Sequence, residues 1–295
     1  MTLKTKLEHV LEEVPGTYGI AIKHLETSEE VFINEDMQFE MASCFKVPVM
    51  ATIYRDYKAG KIDLKDYVRL KDEDRRSGSG VLESLDTGAK LSIKDLVVLM
   101  MIVSDNVATD LLMNLAGKEN INAYMKELGL TNTTVIHDVR DAILHSLGKD
   151  PETITDDEFL EILKPRLESR SYMKWSKMSK SAREKNVSTA KETTKLLEMI
   201  AKKELVSKQA SEEMLHIMSK EKFRSRIPYL LPPETYCACK PGSTGSVVND
   251  IGVIKLPENK GTLVVSIFSV ENSSHDEGEL TIARLTKVAY EHYAK

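Results

Sequence analysis

Ser43 and Lys46 stand three residues apart in the stretch Met41-Ala42-Ser43-Cys44-Phe45-Lys46-Val47-Pro48-Val49-Met50, just ahead of an apolar run. If Ser43 opens a helix, the i, i+3 spacing puts Lys46 on the same face, one turn along. A hydroxyl and an amine held that close can act as nucleophile and base, provided the amine is neutral. Burial and nearby positive charge both depress a lysine pKa, so this chemistry needs a sheltered pocket. The helix N-terminus adds free backbone N–H groups and the positive end of a dipole, both suited to an oxyanion.

The spacing alone decides little, because Ser146/Lys149, Ser171/Lys174, Ser188/Lys191 and Ser219/Lys222 repeat it in a lysine-rich chain. Each reads equally well as a solvated helix face. Companions further along set the Ser43 copy apart. Ser104-Asp105-Asn106 follows a run apolar from Leu96 to Val103, and three polar residues there need partners or a wet cleft. The competing reading is an N-cap, since all three residue types cap helices well. Lys240-Pro241-Gly242-Ser243 ends a strand signal. Cys44 adjoins the candidate nucleophile and is itself a possible one, but no histidine lies nearby in sequence to activate it. Cys237 and Cys239 share one side of a strand, yet no histidine or second cysteine pair makes a zinc pattern, and no metal or cofactor is expected.

These residues need elements to hold them. Leu3, Leu7, Val10, Leu11 and Val14 recur at helical spacing before Pro15-Gly16, predicting a first helix. Strands are expected at 18–22 and 30–33, and again at 237–240, 247–254 and 262–268. Between them lie helical patterns: one from Ser43, an all-round apolar one at 91–103, then 107–115, 119–128, one through Phe159, Leu160 and Ile162, 192–205 and 211–220. A last helix is expected at 278–294. Ser77-Gly78-Ser79-Gly80 reads as a flexible loop. The order implies an α+β fold, an antiparallel five-stranded sheet with flanking helices plus an all-α lobe. The α/β lobe takes 1–40 and 222–295 and the all-α lobe 41–221, with the site in the cleft between them. The segment 150–185, basic around Trp175, is expected to form a lid.

The composition is that of a globular chain, with 41% hydrophobic and 29% charged residues and a net charge of −5. The acidic balance argues against nucleic acid or an anionic membrane as partner. The N-terminus lacks an apolar signal-like region, and three cysteines are too few for a disulfide framework, so a cytoplasmic location is expected, or a secreted protein in its mature form.

In order, the chain carries Ser-x-x-Lys, Ser-Asp-Asn and Lys-x-Gly, together with Gly78-Ser79-Gly80-Val81-Leu82 and Asn249-Asp250-Ile251-Gly252. In this it resembles the class A β-lactamases and related penicillin-binding serine hydrolases, over nearly its whole length. The resemblance implies that Ser43 is acylated, that Lys46 accepts its proton, and that Ser104 relays a proton to the leaving nitrogen. It makes Asn106, Lys240, Gly242, Ser243 and Thr244 the substrate-binding set, with the backbone N–H groups of Ser43 and Ser243 as oxyanion hole. The implied substrate is a small lactam, amide or ester. Two departures stand out. Pro241 replaces the usual hydroxyl residue, which Ser243 or Thr244 replaces only in part. No Glu-x-x-Leu-Asn pattern supplies a deacylation base between Leu130 and Asn186, where His137, Asp138, Asp141 and Glu152 are the substitutes. An esterase or peptide amidase using the same residues, or a slowly deacylating penicillin-binding protein, is the alternative.

Overall fold

The computed structural model describes residues 1–169 and 185–295. The opening helix α1 (Leu3–Leu11) leads into β1 (Thr17–His24), β2 (Glu30–Ile33) and a short β3 (Gln38–Glu40). A 3-10 turn (Ala42–Phe45) runs into α2 (Lys46–Lys58), followed by β4 (Tyr67–Arg69), β5 (Lys90–Ser92), α3 (Ile93–Ile102), α4 (Asn106–Ala116) and α5 (Lys118–Glu127). Then come α6 (Val139–Ser146), α7 (Asp156–Ser169), β6 (Val187–Thr189), α8 (Ala190–Ala201) and α9 (Lys208–Met218). The chain closes with β7 (Cys237–Thr244), β8 (Val247–Lys255), β9 (Thr262–Val270) and α10 (His275–Tyr293).

Five strands form one antiparallel sheet in the order β2-β1-β9-β8-β7. Side chains alternate across it with period two. Ile20, Ile22, Val265, Ile267, Cys237 and Cys239 pack on the face covered by α1 and α10, while Ala21, Val264, Phe268, Ala238 and Val253 join the larger core with the remaining helices. That alternation sends Lys240 to the face of Ala238, toward the helices. Pro241 sits on β7, an edge strand of the sheet, where a missing N–H is tolerated.

The expected five-stranded α+β architecture is what the chain adopts, with differences in detail. Two short ladders, β3 with β6 and β4 with β5, and the helix α6 were not anticipated; strands of three residues are too short to show a period. The helix after Leu91 begins at Ile93, and it is not buried all round: Val98, Leu99 and Ile102 are only half-buried. Strand β7 runs on past Lys240 to Thr244. The Ser171/Lys174 pair, Trp175 and much of the expected lid lie outside the described residues.

Candidate active site

Ser43 lies in the 3-10 turn rather than in the α-helix itself, and Lys46 is the first residue of α2. The preceding residue, Ala42, has φ 43°, a left-handed conformation costly for a residue with a Cβ. Two anchors hold this turn against the sheet. Asn249 Nδ2 donates to the carbonyls of Glu40 (2.8 Å) and Met41 (3.1 Å). Gly242 lies so close that a Cβ there would sit 2.7 Å from Ser43 N and 2.8 Å from Met41 O. Only glycine lets β7 approach the turn this closely. Pro48 is the third residue of α2, where its missing N–H would have no intrahelical partner.

The Ser104-Asp105-Asn106 turn joins α3 to α4, and both readings of it hold, divided among neighbours. Asp105 is the cap: its Oδ1 accepts from Ala108 N (2.9 Å), while Oδ2 takes Val81 N (2.7 Å) and Leu82 N (2.9 Å). The glycine-rich loop is therefore fastened down, not free. Ser79 Oγ donates to Ser104 O (2.7 Å), Asn106 N to Ser79 O (2.9 Å), and Asn106 Nδ2 to Ser77 O (2.8 Å). Gly80, at φ 126°, packs directly on Asp105. Ser104 itself adopts φ 54°, and its carbonyl and its hydroxyl both bond Lys46.

Lys46 and Lys240 are both fully buried and meet through one hydroxyl. Lys46 Nζ bonds Ser104 O (2.7 Å), Ser104 Oγ (3.0 Å) and Asn106 Oδ1 (3.0 Å). Lys240 Nζ bonds Ser104 Oγ (3.1 Å) and Pro241 O (2.9 Å). Burial first, and then the charge of Lys240, hold the Lys46 amine well below its ordinary range. Burial also lowers Lys240, but less markedly, with the Glu221 carboxylate pulling the other way. Ser43 is half-buried, and among the described residues its hydroxyl makes no hydrogen bond, so it is open to attack an incoming group. Cys44 is no rival: its thiol donates to Lys240 O (3.2 Å), and burial pushes its pKa up to about 12.

Beside Ser43, the exposed Ser243 is flanked by residues that the motif spacing did not reveal. Arg226, buried in the loop before β7, donates to Gly242 O (2.9 Å), Asn249 O and Ser243 Oγ, and pairs through Nε with Glu279 (3.0 Å). His275 Nε2 lies 3.0 Å from the same Ser243 hydroxyl. This places a guanidinium against Gly242 and Ser243, the two residues that follow Pro241. His275, Asp276 and Glu279 bring possible metal-ligand atoms within 4.8 Å of one another, yet Glu279 is already engaged by Arg226 and Ser225, so the trio reads as an ion-pair cluster.

The substitutes for a deacylation base are placed differently. Asp138 caps α6, accepting from Asp141 N (2.8 Å), and burial raises its pKa to about 6. Asp141 accepts from Lys118 (3.1 Å), with His137 3.8 Å away, and is held below its ordinary value. Glu152 is exposed. Among the described residues, none of these side chains bonds Ser43, Lys46, Ser104 or Lys240. Each is occupied by its own neighbourhood.

Comparison with known proteins bears on the family and the fold. The sequence model of a family described as the β-lactamase enzyme family matches residues 2–293. The β-lactamase VEB-1 of Pseudomonas aeruginosa is 23% identical over 99% of this chain and 90% of its own length. The extended-spectrum β-lactamase PER-1 of the same organism is 24% identical over 98% and 86%. The crystal structure of a β-lactamase from Sphaerobacter thermophilus superposes with a TM-score of 0.80 at 27% identity, covering 99% of this chain and 96% of that one.

Proposed function

The chain belongs to the β-lactamase enzyme family, and from that premise we propose that Ser43 is its acylated nucleophile and Lys46 the base that activates it. The protein is a serine hydrolase of the β-lactamase type, acting on amide bonds of small β-lactam-like molecules. We place its site at the junction of two lobes, 1–40 with 222–295 and 41–221, each contributing reacting side chains.

The observation that carries this reading is the state of Lys46. It is fully buried, bonded to neutral acceptors only, and depressed far below a normal lysine. A free amine there takes the Ser43 proton as Oγ attacks the carbonyl carbon. The backbone N–H groups of Ser43 and Ser243 receive the developing oxyanion, where one such donor is typically worth about 3 kcal/mol. When the C–N bond breaks, Ser104 gives its proton to the leaving nitrogen and recovers one from protonated Lys46, 3.0 Å away. Lys46 ends neutral and Ser43 ends acylated. Lys240 supplies the positive potential for an anionic substrate, and Asn106 a bond to its amide. Gly242, Ser243 and Thr244 form the strand edge along which the substrate lies, with Arg226 making up for the hydroxyl absent at Pro241.

Among the described residues the candidate bases Asp138, Asp141 and Glu152 are engaged or exposed elsewhere, and on that ground we infer that hydrolysis of the acyl group is the slower half. An adduct that outlives its formation is therefore expected. We also place the protein in the cytoplasm, since all three cysteines are free and buried. Intact-mass measurement after mixing with a chromogenic cephalosporin, and separately with a p-nitrophenyl ester, tests the assignment. Wild type should gain the mass of the acyl group, persistently with the cephalosporin, and Ser43→Ala should gain none. Equal modification of both proteins would remove Ser43 from the role. Adduct formation with the ester alone would move the substrate class to esters.

A further inference from the structure

Glu221 belongs to none of the three motifs, yet it completes their charge balance. It follows α9 and is 3% exposed. Its Oε1 accepts from the backbone N–H groups of Lys222 (2.8 Å) and Phe223 (2.9 Å). Its Oε2 is buried without any hydrogen bond and lies 3.6 Å from Lys240 Nζ. An unbonded carboxylate oxygen in such a place is costly to desolvate unless a charge faces it. Building on the roles given above to Ser43 and Lys46, we propose that Glu221 is a positioning residue that fixes the positive charge on Lys240 and so leaves Lys46 as the neutral base.

Two lysines that share one buried hydroxyl disfavour being charged together. Something must decide which of them keeps its proton. The groups facing Lys240 are Glu221 from the loop after α9, Asp250 from β8, Cys44 from the 3-10 turn, and, in opposition, Arg226 and Lys46. Asp250 is fully buried, with one oxygen bonded to Ile227 N (3.0 Å) and the other unbonded. Its own pKa is pushed up to about 7, chiefly by burial. Burial raises Glu221 too, but the Lys240 charge and the two backbone N–H bonds pull it back, and Glu221 is the carboxylate that lies 3.6 Å from Lys240 Nζ. Lys46 faces Asp105 and Asp110 only at longer range, and its direct partners are a carbonyl, a hydroxyl and an amide oxygen.

Proton counting allows only one of the two lysines to be charged, and a neutral Lys46 fits the contacts; the choice between the two falls to Glu221. If Lys240 is the ammonium and Lys46 the free amine, Ser104 Oγ accepts from Lys240 and, before substrate binds, donates to Lys46; a substrate that draws the Ser104 proton toward its leaving nitrogen frees the Lys46 lone pair for Ser43. The two remaining Lys46 N–H groups then satisfy Ser104 O and Asn106 Oδ1. With both lysines charged, the Ser104 hydroxyl would accept twice and its own proton would meet no acceptor among these groups.

The test is Glu221→Gln, which keeps an acceptor for Lys222 and Phe223 while deleting the charge. In protein labelled with 13C at the lysine side chains, Lys240 and Lys46 are titrated by NMR without substrate, with Lys240→Arg and Lys46→Arg for assignment. In wild type Lys46 should titrate below Lys240. In Glu221→Gln the Lys240 titration should move down by about one pH unit or more, as expected for loss of an adjacent opposite charge. Glu221→Asp should restore part of it, and Asp250→Asn should produce a smaller shift. The alkaline limb of the acylation rate, which needs charged Lys240, should move down in parallel. Lys240 titrating below Lys46 in wild type would overturn the proposal even if the variant did not fold. So would an unchanged Lys240 titration in Glu221→Gln, or an acylation rate lowered equally at every pH together with Tm. The expected titrations without any Ser43 adduct would instead keep this assignment and sink the functional one.

Discussion

Around Ser43, polar side chains arrive from separate elements and bond to one another. Lys46 comes from α2, Ser104 from the α3–α4 turn, Lys240 from β7 and Glu221 from beyond α9. In the described part of the stretch from Val135 to Asn186, three polar side chains instead bond to near surroundings. Asp138 caps its own helix, Asp141 faces His137 and Lys118, and Asn186 Oδ1 accepts from Ile136 N and His137 N. The first arrangement keeps charged groups dry and under tension, which is how reactive pKa values are made. The second stabilises a segment. The contrast explains why the acylating half of the reaction is marked so clearly, and why the described part of the other half supplies no obvious base.

The largest expected effect comes from Lys46→Met. Removing a general base typically costs 10²–10⁴-fold in rate, and the acylation rate should fall by roughly that range. The thermal midpoint should hold, because a buried amine is exchanged for an apolar side chain of similar length. Stopped-flow acylation and calorimetry on the same sample check both halves. A rate within a few-fold of wild type would mean that the converging network does not activate Ser43.

Ser104→Ala should come next, lowering acylation by about 10²-fold as the proton path to the leaving nitrogen is cut. Ser104→Gly should lose the same activity but be more stable than Ser104→Ala by up to about 1 kcal/mol, because φ 54° is unstrained only for glycine. Urea unfolding of the pair measures that difference. Equal stability of the two would mean that the turn relaxes, and that its strain does not aim the Ser104 oxygens at Lys46.

In the other region, Asp138→Asn, Asp141→Asn and Glu152→Gln should each change the adduct lifetime by less than about threefold, since a proton acceptor must lie within hydrogen-bond reach of the attacking water. A tenfold or greater extension by any one of them, followed by intact mass, would identify a deacylation base and erase the contrast.

How far the primary structure announced this differs between the same regions. Ser43, Lys46, Ser104, Asn106 and Lys240 were legible because each motif is local and their order is distinctive. The five strands were legible because alternation marks both faces of a central sheet. The residues that tune them were not. Arg226, Glu221, Asn249 and His275 act through contacts between distant elements, and a lone arginine or glutamate has no periodicity. The glycine-rich loop at Ser77–Gly80 reads as flexible on composition, although Asp105, 23 and 24 residues beyond the amides it holds, ties it down. Helix α6 went unseen because its eight residues, Val139–Ser146, form too short a window to outweigh the mixed composition around them.

The smallest effect concerns stability and tests the second region by itself. Burial, with the Asp110 charge adding to it, raises Asp138 from 3.8 to about 6 in the folded protein. Between those two values the folded chain binds a proton that the unfolded chain has released. Stability therefore falls as pH rises through that window, and the loss is complete above it. Asparagine caps a helix about as well as aspartate and carries no charge. Asp138→Asn should thus be more stable than wild type at pH 7, by on the order of 1 kcal/mol, with the gain fading toward pH 4. Urea midpoints at the two pH values read this directly. A variant less stable at pH 7 would mean that the ionised carboxylate is held by a favourable partner. Asp138 would then belong with the charged, converging side chains around Ser43, and the division between the two regions would have to be redrawn at α6.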